Sequence, residues 1–166
     1  MSRTGPAHPA AAMHLDLHEH ALRFRGTGAT VAVPFGMAAL QARMPGFPPG
    51  ETQVEAAIAD TEDALMPHVA AIRALGGDWL HCDDADAAAL VALAAAAEPE
   101  ADRVSTAAME RVFNRFVDVV GGWPARQAGI AESPRQAAVL VLVREILHHV
   151  GLQGLQAAAP GATPAR

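Results

Sequence analysis

Residues 133–151, "SPRQAAVLVLVREILHHVG", restrict the fold more than any other stretch of the chain. Val139, Leu142, Val143, Ile146, Leu147 and Val150 recur at three- and four-residue spacing, which places them on one face of a helix. Leu140 and Val141 widen that face. A helix apolar around so much of its girth needs cover on several sides, so we expect it at the centre of the core. Ser133 is placed to cap it, Pro134 suits the first helical position, and Gly151 stops it.

A second helix is expected after Ser105, with Met109, Val112, Phe113, Phe116, Val117 and Val120 at the same spacing and Gly121-Gly122 as its end. Residues 51–65 read as a third, with Val54, Ile58, Thr61 and Leu65 on one stripe, broken by Pro67 and continuing to Gly76-Gly77. Met37 to Met44 is a short helix before the "PGFPPG" loop, and "ADAAALVALAAAA" is a further one capped by Asp83 or Asp84.

The N-terminal part follows a different period. Leu15 and Leu17, Leu22 and Phe24, and Val31 and Val33 alternate with polar or small residues, the mark of half-buried strands. "HEH" turns the first strand into the second, and "RGTGAT" the second into the third. The expected fold is α+β and mainly α: a small antiparallel sheet of 2–3 strands packed on a bundle of about four to five helices. We expect one globular domain over residues 13–152, with disordered tails at 1–12 and 153–166.

Composition removes several kinds of chemistry. The chain has 166 residues and a net charge of −6, and all of its Lys+Arg total of 12 is arginine; it has no tyrosine. A Schiff-base lysine, a P-loop lysine and tyrosine acid/base catalysis are therefore excluded. The arginines are scattered among acids, so nucleic acid is not an expected partner. The apolar runs fall short of the ~20 residues of a membrane span. A single cysteine fits a reducing, cytoplasmic setting.

Three clusters are candidates for chemistry. In "WLHCDDAD" the lone Cys82 stands between His81 and Asp83, Asp84 and Asp86. A helix N-terminus favours a thiolate, but adjacent carboxylates oppose it, so the stretch reads as a helix start with an unreactive cysteine. In "HLDLHEH", His14, Asp16, His18 and His20 share a face if the strand runs through them, and a polar edge strand is the simpler reading. In "REILHH", Glu145 and His148 have the i, i+3 spacing of helix-bundle metal ligands, yet histidines in a last helical turn also complement the helix dipole unaided. The metal candidates are His148, Glu145 and His81, and the histidine groups are expected to lie apart. Trp123 reads as a buried anchor closing a loop.

The resulting expectation is a non-catalytic accessory or binding protein of bacterial type, without cofactor. It self-associates or binds a protein partner, because its apolar faces exceed what a few helices can bury mutually. The alternatives are an enzyme dependent on a divalent metal held by histidines and carboxylates, and a small-ligand sensor with an apolar pocket.

Overall fold

The structure is a computed structural model and describes residues 12–96 and 103–157. The expectations for the two tails fall largely outside those residues. The three N-terminal strands form as anticipated: β1 (Ala12–Leu17), β2 (Leu22–Arg25) and β3 (Thr30–Val33) are an antiparallel meander, with Leu15 opposite Phe24 and Leu17 opposite Leu22. The meander then continues into a larger sheet. β4 (Trp79–Cys82) runs parallel to β1, β6 (Gly154–Ala157) runs parallel to β4, and β5 (Arg103–Ser105) closes the far edge antiparallel to β6. The order is β3-β2-β1-β4-β6-β5.

This corrects the expected fold class. The molecule has a six-stranded mixed sheet with helices, not a small sheet of 2–3 strands on a helical bundle. The three further strands leave no periodic signal in the sequence because each is only three or four residues long. So short a strand has one or two inward side chains, too few to show a period. β6 also lies in the segment expected to be a tail, and it opens on Gly154, where a side chain has no room. A Cβ there would stand 2.0 Å from the Val104 carbonyl oxygen and 2.7 Å from the Trp79 ring.

The helices are α1 (Met37–Arg43), α2 (Glu51–Leu65), α3 (Val69–Ala74), α4 (Ala85–Ala95), α5 (Thr106–Val120), α6 (Ala125–Ala128) and α7 (Pro134–Val150). α7 is the central helix, in contact with α1, α2, α3, α4 and α5. Its ends are built as expected. Ser133 Oγ accepts from the Gln136 N–H at 3.1 Å, and Gly151 adopts the left-handed conformation that ends the helix. Arg73 adds a second C-terminal cap, donating to the carbonyls of His149 and Val150. Each large apolar side chain that α7 buries stabilises the fold by about 1.5–3 kcal/mol.

The sheet has two unlike faces. Met13, Leu15, Leu22, Phe24, Leu80, Cys82, Val104 and Leu155 point inward and join the helices in one continuous core. The surplus apolar surface of the helices is thus covered by the sheet. The outer face carries His14, Asp16, Arg23, Arg25, Trp79, His81, Gln156 and Arg103, half-buried or exposed. Two single-residue expectations also change: Val117 and Trp123 are exposed, at 45% and 56%.

Candidate functional site

β1 and β4 are adjacent parallel strands whose chains part at their carboxyl ends. β1 turns back into β2, while β4 passes into α4. Open sheets bind ligands at such a divergence, beyond the carboxyl ends of the strands. The turn after β1 is held by the first turn of α1, where Met37 N–H donates to the His18 carbonyl at 3.0 Å and Ala38 N–H to that of Glu19 at 2.9 Å. Gly36 permits this close approach, since a Cβ there would meet backbone atoms of His18, Glu19 and Ala21 at 2.6 Å. Because β1 stops at Leu17, His18 and His20 leave the strand for the exposed turn and do not share the face of His14 and Asp16.

Between the two strand ends lies a small open cavity of about 230 Å³, lined by Leu15, Asp16, Leu17, Cys82, Asp83 and Asp84. Each of its three carboxylates has a cationic or ionisable partner. Asp16 takes a two-pronged bond from Arg25, at 2.7 Å from Nε and 2.9 Å from Nη2. Asp83 lies 2.7 Å from His81 Nε2. Asp84 caps α4 by accepting from the Asp86 N–H at 2.9 Å, and it also takes the guanidinium of Arg135, which reaches Asp86 as well.

These partners set the charge states. The hydrogen-bonded Arg25 guanidinium holds the Asp16 carboxyl below its ordinary value. Burial alone would raise that of Asp84, but the Arg135 fork and the helix N–H groups outweigh burial and lower it. Burial, reinforced by Asp84, Asp83 and Asp16, pushes the Cys82 thiol up to about 12. Cys82 is therefore an inert core residue, and "WLHCDDAD" is both a strand end and a helix start.

The expectation that the histidine groups lie apart is met only in part. His14 and His81 are register partners on β1 and β4, with ring centroids 4.7 Å apart. Burial, then the charges of His81 and Arg25, lower the His14 pKa. Glu145 and His148 occupy a separate neighbourhood on α7, among the helices that cover the inner face. The buried Glu145 carboxylate pairs with Arg144 at 2.5 Å and His149 at 3.1 Å, and the His148 ring meets that of His149 edge-on. His81 projects from the outer face of the sheet, so the three metal candidates do not form one cluster. Among the described residues, no three His, Cys, Asp or Glu side chains are arranged to hold a metal ion. The pairing of His14 with His81, and the meeting of Asp16 with Asp83 and Asp84, depend on the β1–β4 register and have no local sequence signal.

No protein-family model matches the chain, and no curated protein matches it either. Solved structures do. An exopolyphosphatase-like protein superposes with a TM-score of 0.64 at 15% identity, over 92% of this chain and 57% of its own. The Aquifex aeolicus member of the Ppx/GppA family gives 0.62 at 13% identity, over 92% and 53%. An exopolyphosphatase from Cytophaga hutchinsonii gives 0.63 at 13% identity, over 93% and 55%. The chain thus has the fold of the Ppx/GppA proteins and spans just over half the length of these structures. The expectation of a non-catalytic accessory protein is corrected accordingly, since the fold is that of exopolyphosphatase-like proteins. No helix among the described residues is long and apolar enough to cross a membrane.

Proposed function

We propose that the cavity between the carboxyl ends of β1 and β4 binds a phosphate chain together with a divalent cation, and that the protein hydrolyses phosphoanhydride bonds. The observation that carries this reading is that the three carboxylates lining the cavity, Asp16, Asp83 and Asp84, are each paired with a cationic or ionisable group, Arg25, His81 and Arg135 in turn. Carboxylates alone repel phosphate, and a naked cation pocket would not need guanidinium groups beside it. A cation–phosphate complex satisfies both sets of charges. The fold shared with exopolyphosphatases supports the same substrate class.

The donor set fits a hard ion such as Mg²⁺, which is usually held by one or two carboxylates and completes its shell with water and substrate phosphate. Asp83, whose side chain is 63% exposed, and Asp16, at 35%, are the residues to hold it. Bound there, the ion would neutralise charge on the phosphate oxygens as the bond to the leaving phosphate breaks. Arg25 orients Asp16 and has further N–H donors for phosphate oxygens. Asp84 is committed to the α4 cap and to Arg135, so its role is to fix the rim.

The test is orthophosphate release from polyphosphate by the purified protein with Mg²⁺, alongside calorimetric binding of tripolyphosphate. We expect Mg²⁺-dependent release that a chelator stops and that Asp83→Asn lowers on the order of 100-fold. Absence of both release and Mg²⁺-dependent tripolyphosphate binding would overturn the reading.

A further inference from the structure

We infer that His14 and His81 form a two-histidine site for a first-row transition ion such as Zn²⁺ on the outer face of the sheet, with Asp83 fixing the orientation of His81. The site shares Asp83 and His81 with the phosphate reading but does not rest on it: a protein with no hydrolytic activity would still bind the ion.

Three observations converge on it. First, the histidines are direct register partners on neighbouring parallel strands, so the sheet ladder fixes the two backbones relative to each other. The ring centroids lie 4.7 Å apart, with the planes tilted by 59°. With His81 held by Asp83, a change in the His14 side-chain torsions is what would bring a nitrogen of each ring onto one ion at the ~2.0–2.1 Å of a zinc–imidazole bond.

Second, His81 Nε2 lies 2.7 Å from Asp83 Oδ1. An ionised carboxylate only accepts hydrogen bonds, so Nε2 carries the hydrogen and Nδ1 of the neutral ring keeps its lone pair. A carboxylate that holds the far nitrogen of a ligating histidine is the usual support of a metal-bound imidazole.

Third, both rings stand on the outer face, away from the apolar core, and are partly open to solvent. Imidazole pairs suit zinc, copper and nickel rather than magnesium. Two protein nitrogens leave coordination positions open, so the bound ion would exchange and accept water or an external ligand. His18 and His20 on the exposed turn, and His148 and His149 on α7, lack this combination of cross-strand register and carboxylate support.

The experiment titrates Zn²⁺ into the full chain, purified without a histidine tag, by calorimetry, and Co²⁺ by its visible absorption. Circular dichroism checks that every variant is folded. We expect one ion per chain with a micromolar Kd. His14→Asn and His81→Asn should each abolish saturable binding. Asp83→Asn should weaken it by roughly 10–100-fold, the usual effect of losing such a support. His18→Asn and His148→Asn should leave it unchanged. Lack of saturable binding up to millimolar Zn²⁺ would overturn the site, as would binding that survives in both His14→Asn and His81→Asn. Phosphate release with Mg²⁺ is scored separately, so failure of one reading leaves the other standing.

Discussion

Arg135, in the first turn of α7, donates from Nη2 to Asp84 Oδ2 at 2.6 Å, tying the central helix to the strand end that lines the candidate site. Asp84 meanwhile accepts from the first N–H groups of α4. One carboxylate therefore joins a helix cap to a long-range ion pair, and its two substitutions are unequal. Asp84→Ala loses the cap and leaves Arg135 with Asp86 alone, a cost of about 1–3 kcal/mol. Arg135→Ala removes a partly exposed partner and leaves the cap intact, a cost of about 1 kcal/mol or less. Urea unfolding of both variants and of the double variant checks this, and equal costs would show that the cap contributes nothing.

Acid should destabilise the protein through Asp16 and Asp84. Both have folded pKa values below the ordinary 3.8. Their contribution is therefore fully present above the unfolded pKa and is lost as pH falls through it towards the lower folded values. The melting temperature should decline steeply below about pH 4. The Asp16→Asn, Asp84→Asn double variant should decline less over the same interval. Parallel curves for the two proteins would count against these carboxylates as the source.

Phe116 is completely buried in α5 and packs near Phe113, with ring centroids 6.1 Å apart. Phe116→Ala should cost about 3–5 kcal/mol in urea unfolding, because a closed core cannot fill the space. The neighbouring Val117 is exposed, so Val117→Ala should change stability by no more than about 0.5 kcal/mol. A small effect at Phe116 would mean that α5 does not seat against α7 as described.

Cys82 is buried, and burial pushes its thiol up to about 12, so the protonated thiol dominates at neutral pH. A thiol-reactive disulfide should modify the native protein slowly and the urea-unfolded protein at once. Rapid modification of the native protein at pH 6 would restore Cys82 as a candidate nucleophile.

The helices and the meander were legible because each carries its own signal. α7 repeats its apolar positions over 17 residues, Ser105 and Ser133 stand where caps must stand, and Gly151 stands where only a left-handed residue ends the helix cleanly. β1, β2 and β3 are joined by short turns, so a local alternation predicts both the strands and their pairing. None of this depends on distant residues.

The other half of the sheet depends on nothing else. Trp79–Cys82 becomes a strand because β1 and β6 flank it on either side. Gly154–Ala157 becomes one because β4 and β5 receive it, at a glycine with no space for a side chain. Backbone hydrogen bonds between such segments belong to the pair, and neither member shows them alone. The same register brings His14 to His81, and the parallel ends of β1 and β4 bring Asp16 to Asp83 and Asp84. Sequence thus determined which residues carry charge, donors and lone pairs. Only the long-range ladder decided which of them meet, because the energy that joins two distant strands is stored in their contact and not in either stretch of chain.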